Sequence, residues 1–127
     1  MVAHSQLAST DLPSLVAAVV AAGPDHPPQI LAATPWLATT EAEPLALYAS
    51  FSEQFSTVLF ECSRILGPPR EAAYQAAPSW YPECIRFASW LAGANIVYLA
   101  VVHHDRETPV LLELGIVSPT EIASRAG

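Results

Sequence analysis

The stretch Ile96–Val117, IVYLAVVHHDRETPVLLELGIV, constrains the fold more than any other part of this 127-residue chain. Two apolar runs flank a polar segment. They form either the two strands of a β-hairpin or the end of one helix and the start of another, and the choice decides whether the domain contains a sheet. The β-branched Ile96, Val97, Val101 and Val102 favour a strand. Spacing favours a helix. Cys84, Phe87, Leu91, Ala94, Tyr98 and Val101 recur at intervals of three and four, the period of an amphipathic helix, and the phase passes through Ile96 without a slip. Propensity is the weaker of the two signals in a long periodic context. The sequence therefore predicts a helix that ends at the polar His103-His104-Asp105-Arg106. A second helix follows, capped by Thr108-Pro109 and stopped at Gly115.

Other helix signals run the length of the chain. Thr10 and Asp11 can cap a helix with Pro13 in its first turn, a stripe of Leu12, Leu15, Val16, Val19 and Val20, and a stop at Gly23-Pro24. Segment 24–38 is broken by prolines and reads as one or two short helical turns over the core. Thr40-Glu41-Ala42-Glu43 is a capping box, and no breaker follows until Gly67-Pro68-Pro69. Tyr48, Phe51, Phe55, Val58, Cys62 and Ile65 make a seam for helix packing along that stretch. Residues 67–78 read as a connector with one helical turn, Ser79 as the cap of the next long helix, and Ser118-Pro119-Thr120-Glu121 as the box that opens a last short helix to about Arg125. The predicted fold is a single all-α domain over 1–127. Two long helices, about 41–66 and 80–104, form an antiparallel hairpin, with shorter helices packed across it.

Charge and composition narrow the function classes. The net charge is -7 and the chain has no lysine; its five basic residues are scattered arginines. No basic patch is available to displace counterions, which argues against a nucleic-acid binder. Residues 87–102 fall short of the roughly 20 apolar residues a membrane-spanning helix needs, and Arg86 and Asn95 interrupt the region. No secretory signal is visible at the start, and two cysteines are too few for a disulfide scaffold, so a bacterial cytoplasm is the expected compartment. Hydrophobic residues make up 52% of the chain and charged residues only 13%. So few charges cannot cover a small domain, and a protein partner or a homodimer is expected to cover some of the remainder. Leu47 and Phe60 on the first long helix, and Ile85, Trp90, Val97 and Val102 on the second, fall outside the seams.

Residues that could carry chemistry are few. In the predicted hairpin Cys62 and Cys84 come to similar height on facing seams, within about 10 Å between Cα atoms. They would be a redox pair, half a metal site, or simply two small buried hydrophobes. His103 and His104 would lie near Glu41 and Glu43. Adjacent histidines point about 100° apart on a helix and HExxH spacing is missing, so neither a metal nor a cofactor is expected. Glu61 with Arg64, and Glu83 with Arg86, stand at i,i+3 as surface pairs. There is no GxSxG elbow and no glycine-rich phosphate loop. The balance is against an enzyme.

The leading expectation is a small acidic, non-catalytic helical interaction module of the immunity, antitoxin, chaperone or assembly-factor kind. Trp80, Tyr81 and Trp90 are its candidate partner-binding residues, because tryptophan and tyrosine carry much of the binding energy at interfaces. The alternative is a small-molecule- or metal-binding helical domain, an enzyme among the options. Its pocket would lie between the long helices, lined by Tyr48, Phe51, Phe55, Cys62, Cys84, Phe87 and Tyr98.

Overall fold

The structure, a computed structural model, describes residues 4–5, 11–24, 27–33, 44–69, 71–73, 80–103 and 110–126. Its elements are β1 (His4–Ser5), α1 (Leu12–Ala22), β2 (Gln29–Ala33), α2 (Pro44–Leu66), β3 (Glu71–Ala73), β4 (Cys84–Ala92), β5 (Asn95–Val102), β6 (Leu111–Val117) and α3 (Pro119–Ala126). The six strands form one antiparallel sheet in the order β1-β2-β6-β5-β4-β3. The domain is thus mixed α/β, and the all-α prediction is overturned.

The error lies in residues 80–117. The predicted helix over 80–104 is the β4–β5 hairpin, and the predicted helix ending at Gly115 is β6, paired with β5 from Ile96↔Val117 to Val102↔Leu111. Two physical causes hid the strands. First, β5 is buried on both sides: Val97, Leu99 and Val101 face the helices, while Ile96, Tyr98, Ala100 and Val102 face the opposite way. A strand buried on both faces shows no polar alternation, so periodicity cannot separate it from a buried helix. Second, β4 carries an extra residue between Cys84 and Arg86 relative to Val102 and Val101. This bulge puts Cys84 and Phe87 on the same face although they are three residues apart, which mimics a helical spacing. Gly93, at φ 64°, and Ala94 make the two-residue turn between the paired Ala92 and Asn95. A positive φ at the first turn position alone is the type II′ geometry.

Two smaller readings also change. Within 24–38, residues Gln29–Ala33 are β2 rather than a helical turn, and Glu71–Ala73 of the connector is the edge strand β3.

The other helices form where their signals stand. Asp11 caps α1: its carboxylate accepts from the Ser14 amide at 3.4 Å and the Ser14 hydroxyl at 2.7 Å. Gly23, at φ 79°, ends that helix. α2 runs to Leu66, with Phe51, Phe55, Val58 and Cys62 fully buried along its seam. The box Thr40–Glu43 lies outside the described residues. The Ser118 hydroxyl accepts from the Glu121 amide at 3.0 Å and caps α3.

α2 packs across β4, β5 and β6, and α1 lies beside it over β6. The main core fills the space between these helices and the sheet. Trp90 is buried there, and its indole N–H donates to the Gly67 carbonyl at 3.0 Å, tying β4 to the end of α2. The opposite sheet face carries a second cluster, and Ile122 of α3 packs on it. Among the described residues, no helix is long and apolar enough to cross a membrane.

Candidate functional site

The second sheet face holds the densest chemistry among the described residues. β5 and β6 set its register: Tyr98 pairs with Gly115, and Ala100 pairs with Glu113. Side chains two apart on a strand share a face, so Glu113 stands beside the Tyr98–Gly115 pair. A turn before β4, closed by the Cys84 amide donating to the Tyr81 carbonyl at 3.2 Å, brings Trp80 and Tyr81 over the same face.

Glu113 is only 2% exposed. A buried carboxylate is costly unless its oxygens are bonded. The Tyr98 hydroxyl donates to one of them at 3.0 Å, and the Tyr81 hydroxyl donates to the other. Aromatic rings surround this arrangement. The Trp80 ring lies 5.4 Å from Phe87 and 5.5 Å from Tyr98, edge to face in both cases, and 5.5 Å from Tyr81. Above them sits Arg125 of α3, its guanidinium 5.6 Å from the Trp80 ring centre and 6.0 Å from that of Tyr81. Arg125 also pairs with Glu121 at 2.8 Å, one helical turn back. Beside this helix is a cleft of about 360 Å³ lined by Pro24, Pro27, Pro28, Tyr98, Ile116, Val117, Glu121 and Arg125.

Burial favours the protonated form of the phenols and thiols. Burial pushes the Tyr81 phenol up, and its hydrogen bond to Glu113 adds to the shift. Burial raises Tyr98 as well, reinforced by the Glu113 charge. Cys84 is raised by burial and then by Glu113, and Cys62 is pushed up to about 12 by burial, with Glu61 adding to it. A thiol that keeps its proton is a poor nucleophile and a poor ligand. Both Glu113 oxygens are already engaged by phenols. Among the described residues, no three of His, Cys, Asp or Glu come together as a metal site.

The candidates singled out from sequence divide between the two sheet faces. Trp80 and Tyr81 lie in the cluster just described. Trp90, grouped with them by residue type, is in the main core and would be reached only by opening α2 from the sheet. The pocket expected between two long helices is split by the sheet: Phe51, Phe55 and Cys62 lie on the helical side, and Cys84, Phe87 and Tyr98 on the other. Tyr48 is on the first turns of α2, where the backbone alone is described. The two cysteines are free and buried on opposite faces, so the predicted approach of their sulfurs across a helical hairpin does not occur. Glu61 and Arg64 do pair, at 3.2 Å. Arg86 donates to the Ile85 carbonyl at 3.0 Å. His104, Glu41 and Glu43 lie outside the described residues.

Sequence reasoning missed Glu113, Gly115 and Arg125. The signal for Glu113 was present: it is the lone charge in the apolar run LLELGIV, a pattern that marks a buried, satisfied carboxylate once the run is read as a strand. In comparisons with protein-family models, with curated proteins and with solved structures, none matches this chain.

Proposed function

We propose that this domain is a non-catalytic binding module that works by covering a polypeptide surface, either on a second copy of itself or on a protein partner. The observation that carries the reading is the exposure of large apolar side chains. Phe60 on α2 is 65% exposed and Leu91 on β4 is 63% exposed, in a chain with only 13% charged residues. Each would gain on the order of 1.5–3 kcal/mol from full burial. The protonated thiols and the doubly bonded Glu113 support the non-catalytic part of the reading.

Light scattering at micromolar concentration tests it. The expected result is a mass above that of one chain, falling to one chain in a Phe60→Ser, Leu91→Ser double variant. A wild-type monomer whose mass and solubility match those of the double variant would overturn the reading. A second reading is favoured by the cleft of about 360 Å³ beside α3, large enough for a small ligand. On that reading Tyr98 and Arg125 would make the ligand contacts.

A further inference from the structure

We propose that the aromatic face formed by Trp80 and Tyr81 is a guanidinium-recognition site, that Arg125 fills it from within the chain, and that an arginine of a partner polypeptide can take its place.

Three observations converge on this. The occupant is already the right chemistry: the Arg125 guanidinium lies over both rings, 5.6 Å and 6.0 Å from their centres. The negative face of an aromatic ring attracts a cation, and a nearby carboxylate adds to the attraction. Glu113 is a buried carboxylate next to this face, accepting from the Tyr81 phenol. The chain's net charge of -7 also favours cationic partners.

The internal occupant is held lightly. α3 has eight residues, and helices this short do not persist in water without packing. It docks through half-buried Ile122 and through Arg125, whose side chain is 44% exposed. The cleft lined by Pro24, Pro27, Pro28, Glu121 and Arg125 runs alongside that side chain, giving a second polypeptide a route to it. A partner arginine would lie on the same rings, with Glu121 within reach as its ion-pair acceptor once Arg125 has swung out. Arginine recognition at these rings goes beyond the coverage of Phe60 and Leu91, and its test does not depend on self-association.

The test uses the full chain and a capped tripeptide, acetyl-Gly-Arg-Gly-amide, with acetyl-Gly-Leu-Gly-amide as the neutral control. Binding is followed by NMR at the Trp80 indole N–H and the Tyr81 ring. Removing the resident cation with Arg125→Ala should produce a saturable shift at both residues with the arginine peptide and none with the leucine peptide. Arg125→Lys keeps a resident cation and should bind the arginine peptide about tenfold more weakly than Arg125→Ala. If Arg125→Ala releases α3, the face is bare and the same shift is expected. Arg125→Gln, which keeps the side-chain length without the charge, serves if the alanine variant does not fold. The proposal is overturned if the charge-free variants show no saturable shift with the arginine peptide. It is overturned equally if they respond no more strongly than Arg125→Lys and wild type. Neither result bears on the mass measured by light scattering, so the two proposals fail separately.

Discussion

The ring of Tyr98 lies directly over the backbone of Gly115, its cross-strand partner; a β-carbon at position 115 would stand 2.6 Å from Cε2 of that ring. Glycine at this position lets the Tyr98 ring lie flat along β6, so that its hydroxyl reaches Glu113 on the same strand. Gly115→Ala should therefore push the ring off its seat and cost about 1–3 kcal/mol, the usual range for overpacking. The check is a urea midpoint, repeated in a Tyr98→Ala background. There the added methyl has room, and the penalty should largely vanish.

The two phenols hold one buried carboxylate between them. Tyr98→Phe and Tyr81→Phe should each cost about 1.5–3 kcal/mol, as expected for a hydrogen bond to a charged group. The double variant leaves Glu113 buried without either donor, so its cost should exceed the larger single cost by a clear margin. Denaturation curves for the three variants settle this. A double variant as stable as either single one would show that solvent reaches Glu113.

Stability should fall at alkaline pH. The Cys62 thiol is raised from 9.0 to about 12 by burial, with Glu61 adding to it. Between those values the unfolded chain has released a proton that the folded chain keeps. The unfolded state then binds fewer protons, and the free energy of unfolding decreases as pH rises, by up to about 1.4 kcal/mol per pH unit for each such group. Cys84 adds to the same slope, since burial and then Glu113 raise it too. The phenols of Tyr81 and Tyr98 join above about pH 10, where tyrosine ionises in an unfolded chain. Urea midpoints at pH 7.5, 9 and 10 should decline in that order, and Cys62→Ala should flatten the decline relative to wild type.

The β4–β5 turn depends on Gly93, whose φ is 64°. A β-branched residue there meets its own carbonyl, so Gly93→Val should cost about 1–2 kcal/mol. A lowered thermal midpoint with an unchanged mass is the expected result.

The sequence by itself determined the elements whose signals are local. Asp11 and Gly23 bound α1, Ser118 opens α3, and Phe51, Phe55, Val58 and Cys62 mark the buried side of α2. Each needs only a cap or a stripe within one segment, and both can be read from residues a few places apart. Only the tertiary structure decided that β4, β5 and β6 are strands. The central strand β5 is buried on both faces, so the contrast between apolar and polar positions that reports a strand is erased there, and the bulge at Cys84–Arg86 of β4 imposes a false helical interval. Of the site, Trp80 and Tyr81 stood out by residue type. Glu113, Gly115 and Arg125 became functional candidates only through pairing across strands and the docking of α3. Such contacts are set by the register of the sheet, which no single segment encodes.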